Sequence, residues 1–241
     1  MKKSILTKPA FRYIFEIIVI VFSVTLSFYI QDILNEKEKI EQKNLALIGV
    51  IEDLKNDVRN FNNAINLARR RIKNIDTLLN VNFENSSNNI NTGVKRYFGF
   101  LGENTNYNSM VSTGSIEYIN NKKLFKMINK YYSSHYNVIR DMSEQDENNF
   151  NGISEYLNTN YSTFLEVASE IRTGGDLMNE IDSIYHRKFT DRSLIKMKSD
   201  NEFISRANEQ KWTLRVNLNY YKRAISVNKQ LQELIANEIN N

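Results

Sequence analysis

From Tyr13 to Gln31 the chain reads YIFEIIVIVFSVTLSFYIQ, 19 residues with a single charge, Glu16. A helix rises 1.5 Å per residue, so this stretch covers roughly 28 Å, close to the hydrocarbon thickness of a bilayer, and predicts a transmembrane helix. Pro9 suits the first turn, where its missing N–H would have no partner, with Thr7 as a cap just ahead. A cleaved signal peptide opens in a similar way, but no small-x-small cleavage site precedes Gln31 and the apolar run leads directly into a helical pattern. That pattern starts at Leu47 and continues through Ile51, Leu54, Val58, Phe61, Ile65, Ala68, Ile72, Ile75 and Leu79 in alternating steps of four and three. A 3.5-residue repeat held this long keeps one seam facing a partner helix, either another copy in a coiled coil or a helix of the same bundle. Only Gly49 interrupts the stretch from Pro9 to Leu79, so span and heptad helix are expected to form one rod of ~70 residues, on the order of 100 Å.

Beyond it, residues 80 to 92 form an Asn- and Ser-rich break and 99 to 108 a second irregular stretch, both expected as loops around a short segment from Gly93 to Phe98. After a turn at Ser112 to Gly114, a helix is expected over Lys122 to Met142, with Leu124, Ile128, Tyr131, His135, Val138 and Met142 on one stripe. Another is expected over Phe150 to Ile171, ended by Gly174 and Gly175, then a short one from Asp176 to Phe189. Leu214, Leu218, Tyr221, Ile225, Leu231 and Ile235 mark a long final helix that includes Trp212. No strand pair is expected. The fold class is therefore all-α: a basic tail (1–12), a transmembrane helix (13–31), a long coiled-coil-like helix (32–80) and a helical bundle domain (81–241) packing on it.

Composition narrows the chemistry. The chain has no Cys, two His, one Pro and eight Gly. That excludes a disulfide framework, a thiolate nucleophile and a Cys-ligated metal site, and leaves too few turn formers for a sandwich, barrel or doubly wound sheet. The net charge of +4 sits mostly ahead of the span, in Lys2, Lys3, Lys8 and Arg12. Lys37, Lys39 and Lys43 follow the span, interleaved with Glu36, Glu38 and Glu41, so Lys and Arg counts leave the orientation open, with a slight bias toward a cytoplasmic N-terminus. Within the span, Glu16 either pairs with Arg12 one turn away or, with Ser23, Thr25 and Ser27, faces other copies or a water-filled path.

His135 and His186 lack metal-ligand spacing, the Gly pairs lack the Lys and Ser or Thr of a phosphate loop, and no paired Glu-x-x-His occurs. No enzyme activity, cofactor or metal is expected. Local basic clusters remain: Arg69, Arg70, Arg71 and Lys73; Lys95, Arg96 and Tyr97; Lys122, Lys123, Lys126 and Lys130; and Lys211, Trp212, Arg215, Tyr220, Tyr221, Lys222 and Arg223. The last mixes cations with aromatic rings, the combination that single-stranded nucleic acid uses for phosphate contact and base stacking. Each cluster taken alone reads more readily as a solvated helix face or as core than as a ligand site.

The stretch FEIIVIVFSVTLSFYIQDILNEKEK, followed by ALIGVIEDLKNDV, and the motif YNSMVSTGSIEYINNKKLFKMINKYY resemble an uncharacterised family of short bacterial single-span membrane proteins. Phe15 stands where that family often has glycine and Leu34 where it often has tryptophan. The resemblance implies the topology and no activity. In size and topology the chain is also similar to membrane effectors of bacterial anti-phage systems, the Hailong type included, in which a nucleotidyltransferase makes short DNA that restrains a membrane-disrupting oligomer. Together these lead to the expectation of an inner-membrane effector of three or four copies, zipped along Leu47, Ile51, Leu54, Val58, Phe61 and Ile65. It would be gated by a short oligonucleotide on the basic clusters, with an operon-encoded nucleotidyltransferase as partner. The alternative is a non-enzymatic membrane-anchored scaffold or envelope-assembly protein.

Overall fold

The computed structural model describes residues 7–80, 86–97, 99–168 and 184–240. Helix α1 runs without a break over Thr7–Asn80, placing Pro9 in its first turn. Its N-terminal part is long and apolar enough to cross a membrane, with a mean hydropathy of 2.2 over a window that none of the described residues covers. From Lys43 onward the same helix is the axis of a bundle. Helix α7 (Asn201–Ile239) lies antiparallel to it, and the third long element is a helix over residues 122–160, formed by α4 (Lys122–Lys130), a π-turn (Tyr131–His135) and α5 (Tyr136–Asn160). The antiparallel register of α1 and α7 is fixed along its length. Lys43 meets Glu238 at 3.0 Å, the Asn228 amide donates to the Leu54 carbonyl at 2.9 Å, Phe61 packs on Tyr221 and Asp76 meets Lys211 at 3.1 Å.

The heptad row is filled from within the chain. Leu47, Leu54, Phe61 and Ile65 are buried, and Ile51 and Val58 half-buried, with Tyr221, Ala224, Leu231 and Ile235 of α7 in the same cluster. This corrects the expectation that these six residues zip copies together: of the two kinds of partner a 3.5-residue repeat admits, the chain supplies its own.

Several elements depart from the sequence reading. The break expected over 80–92 contains α2 (Ser86–Asn89), which runs into a π-turn (Ile90–Val94) that buries Ile90 and Val94 on α1. Gly93 makes that approach possible, because a Cβ there would stand 3.1 Å from the Asn74 Cβ and 3.2 Å from the Ile75 nitrogen. The stretch expected as a loop over 99–108 includes the start of α3 (Thr105–Ser112). No local side chain caps α3. Its first N–H groups, those of Asn106 and Tyr107, donate to the Asp53 carboxylate of α1 at 2.8 and 3.1 Å, which serves as the cap from half a hundred residues upstream. Gly114, at φ 74°, makes the turn into a 3-10 segment over Ser115–Tyr118. Asn121 then caps α4 by accepting from the Lys123 and Leu124 nitrogens.

The π-turn at Tyr131–His135 shifts the buried row by one residue. Instead of His135, Val138 and Met142, the chain buries Tyr132, Tyr136, Ile139 and Ser143, with Tyr131 also inside. The wider turn lets adjacent tyrosines share one face, which a regular helix forbids at ~100° per residue.

α5 stops at Asn160, short of the expected Ile171. Tyr161 is extended (φ −136°, ψ 133°), and β1 (Thr163–Ala168) pairs antiparallel with β2 (Ile184–Phe189), Thr163 opposite Phe189. This strand pair overturns both the expected absence of strands and the helix expected up to Phe189. The β-branched and aromatic residues of TFLEVA favour it, and Ser193 anchors its base by accepting from the Ser162 N–H and donating to the Ser162 carbonyl. Gly174, Gly175 and Asp176 lie outside the described residues. Thr190 caps α6 (Asp191–Lys198), and Asp200 caps α7 while also accepting from the Tyr156 hydroxyl at 2.7 Å and from Tyr161.

Candidate functional site

Because α7 runs antiparallel to α1, the two basic clusters become neighbours. Asp76 of α1 takes Lys211 at 3.1 Å and Arg215 at 3.9 Å, and Lys73 and Arg69 lie one and two turns back on the same side of α1. Residues seven apart keep one face in such a bundle. On α1 that row is Lys55, Asn62, Arg69 and Asp76; on α7 it is Arg215, Lys222 and Lys229. Lys55, Arg69, Lys73, Arg215, Lys222 and Lys229 are all exposed. The result is a basic track along the α1–α7 junction, with Asp76 at one end and Glu233, one turn past Lys229 on α7, at the other. From Arg215 to Lys229 it is about 21 Å long. Lys55 and Lys229 were not among the residues singled out from the sequence; their heptad spacing from Arg69 and Lys222 was the available signal.

Four of the candidate ligand residues stand elsewhere. Arg71 is 2% exposed, turned into the core two residues after Arg69, and holds Asp146 of α5 through two hydrogen bonds of 2.5 and 3.0 Å. It is a structural cation and corrects the expectation of a binding role. Tyr221 is buried on Phe61, and burial pushes its hydroxyl up to about 12, so it offers no stacking face. Arg223 faces the other side of α7, where it and Lys130 join burial in lowering the pKa of His135. Arg70 is exposed on the solvent side of α1, away from the α7 junction. Trp212 is 65% exposed beside Lys211 and Arg215, and Tyr220 is exposed to 37%. The Trp212 ring is open to solvent.

Within the apolar stretch of α1, the polar side chains find partners on their own helix. Arg12 Nε meets Glu16 Oε1 at 3.1 Å, while the Ser23, Thr25 and Ser27 hydroxyls donate to the Val19, Val21 and Ser23 carbonyls at 2.7–2.8 Å. Glu16, Ser23 and Ser27 fall on one side of α1. Thr25 is roughly 200° from both serines and does not belong to that stripe.

A second polar centre, not anticipated from the sequence, lies inside the bundle. Asp57 of α1 is fully buried and accepts the Tyr131 hydroxyl at 2.8 Å, the Tyr136 hydroxyl at 2.5–2.6 Å and the Glu103 N–H at 2.8 Å. Asn228 of α7 donates to the Tyr131 oxygen at 2.8 Å, so the chain of bonds crosses the bundle from α7 to the segment before α3. Burial pushes the Asp57 carboxyl up to about 6, with Asp53 adding to the rise, against the hydrogen bonds that pull it down. Aspartates at 53 and 57, one turn apart beside an apolar row, were the visible signal. A cavity of about 20 Å³ beside Arg71, Asp146 and Asn217 has room for one water and no ligand. Among the described residues no group of three acidic or histidine side chains gathers as a metal site.

Neither a family model nor a curated protein nor a solved structure matches this chain.

Proposed function

We propose that this chain is an oligomeric effector of the bacterial inner membrane, in which the bundle binds an anionic ligand along the α1–α7 track and α1 carries the result into the bilayer. The observation that carries the reading is that one uninterrupted helix is both the apolar span and the axis of the ligand-facing bundle. A short single-stranded oligonucleotide fits the track: Arg69, Lys73, Arg215, Lys222 and Lys229 would meet phosphates and Trp212 would stack on a base, worth ~1 to 3 kcal/mol. The similarity in size and topology to anti-phage effectors supports that setting, with a nucleotidyltransferase encoded nearby as the source of the ligand. The reading requires the bundle to be cytoplasmic.

Binding of a labelled single-stranded oligonucleotide to detergent-solubilised full-length chain, followed by fluorescence anisotropy, tests the ligand. With about five phosphates neutralised on a single strand, affinity should fall by roughly a hundredfold between 50 and 200 mM salt. Arg69→Glu with Lys222→Glu should abolish binding, whereas Arg223→Glu, on the other side of α7, should weaken it only slightly. Equal losses from both, or no salt dependence, would remove the track as the site. Dye uptake and depolarisation on expression test the effector role, and an unchanged membrane potential would end it.

One observation favours the second reading, a membrane-anchored scaffold. The span's hydroxyls and Glu16 are all bonded within the helix, as an anchor requires and a pore does not.

A further inference from the structure

The row on α1 that α7 covers does not stop where α7 does. Counting back from Leu47 in the same alternation of three and four gives Asn44, Ile40, Lys37 and Ile33, then Ile30 and Leu26 inside the apolar stretch. The register has no slip. α7 leaves the row at the Lys43–Glu238 pair and ends at Ile239, so from there toward the span the stripe is bare: Ile40 is 52% exposed, Ile33 40% and Ile30 49%. Asn44, at the edge of the covered part, keeps its side-chain oxygen shielded from solvent without a hydrogen-bond partner.

We infer that a second copy of this chain, lying parallel, covers residues 16–44 of α1 along this row. The inference rests on the self-association within the function proposed above and moves its contact from the Leu47–Ile65 row to the uncovered continuation. Continuity with the α1–α7 seam supplies the argument. A stripe already shaped to take a helix at 3.5-residue spacing runs from the bundle into the bilayer, and only a helix that enters the bilayer alongside can follow it. A parallel copy does so with every matching residue at the same height. Lys37 and Asn44 fall at equivalent positions one heptad apart, where a polar residue in a parallel coiled coil sets register and a low copy number at some expense of stability. Ser23, two heptads before Lys37, is small enough for close approach inside the membrane, and Glu16 one heptad earlier stays paired with Arg12.

The chain contains no cysteine, so single cysteines can be read without background. In native membranes under mild oxidation, Ile33→Cys and Ile40→Cys should give disulfide-linked dimers. Glu38→Cys and Gln42→Cys, on the opposite side of the helix, should not. Ile33 and Ile40 are exposed, so these changes leave the bundle core intact. Lys37→Ile should allow the oligomer to survive at least a tenfold greater dilution. Linking at all four sites, or at none, overturns the proposed face. If none links and mass photometry in detergent still finds an oligomer, self-association stands and uses another surface; a monomer with no linking refutes both. Dye uptake measured on the same cells reports on the effector reading independently.

Discussion

Asp146→Ala is expected to destabilise the bundle by about 3–5 kcal/mol, the range for removing one partner of a buried ion pair. Arg71 is nearly sealed from solvent, and its fork is spent on the two Asp146 oxygens, with the Nε–H donating to the Gly93 carbonyl at 3.2 Å. Without Asp146 the guanidinium stays charged, because arginine does not give up its proton inside proteins, and among the described residues no other carboxylate pairs with it in the core. The double variant Arg71→Met with Asp146→Leu removes both charges and should lie within about 1 kcal/mol of the parent or above it. Urea unfolding of the solubilised chain, followed by far-UV circular dichroism, measures both. An Asp146→Ala loss no larger than that of a surface substitution, about 0.5 kcal/mol, would show that water reaches Arg71.

The second large effect is a dependence on pH through Asp57. Its carboxyl is pushed up to about 6 in the folded chain against an ordinary 3.8, so the folded state holds the proton more tightly than the unfolded one. The stabilising contribution is therefore complete below about pH 3.8 and is lost as pH rises through about 6; over two pK units it approaches ~3 kcal/mol. The hydrogen bonds explain how both states fit. The Tyr136 hydroxyl stands 2.6 Å from the Glu103 carbonyl as well as against Asp57, yet it has one proton to give. With Asp57 ionised, Tyr136 donates to the carboxylate. With Asp57 protonated, the acid donates to Tyr136 and Tyr136 donates to Glu103, with no heavy atom moving. Asp53, Glu103, Tyr131, Tyr132 and Tyr136 face or surround the group. Stability should rise as pH falls from 7.5 to 4.5, and Asp57→Asn should flatten the rise. His135, with its lowered pKa, contributes a slope of opposite sign, so the comparison belongs in a His135→Gln background. A parent chain with no slope in that background would show Asp57 ionised throughout.

The long elements were legible because their apolar periods are long. The Leu47–Leu79 row and the Leu214–Ile235 row each predicted a helix, and each proved to be the other's partner, which periodicity alone cannot decide. What escaped the sequence was set by contacts distant in the chain. α3 has no cap of its own because Asp53 caps it, and the register past Tyr131 slips because a π-turn brings a second tyrosine inward. Arg71 looked like its neighbours Arg69 and Arg70, and only its angle around α1, facing Asp146, separates a core residue from a surface one. The basic track was half legible: both clusters could be read, but not that antiparallel packing would lay them side by side, nor that Tyr221 and Arg223 would turn away.

The continuity of α1 also means that the rod has no swivel. Whatever turns the bundle about the helix axis turns the apolar end of α1 by the same angle, so under the proposed membrane insertion orientation would be delivered to the bilayer together with displacement. The two can be separated by insertion in the stalk near Glu38. One extra alanine lengthens the rod by only about 1.5 Å but rotates everything beyond it by about 100°, whereas seven lengthen it by about 10 Å and restore the original facing to within about 20°. An effector that works by pushing tolerates the single insertion better than the seven; one that works by rotation shows the reverse.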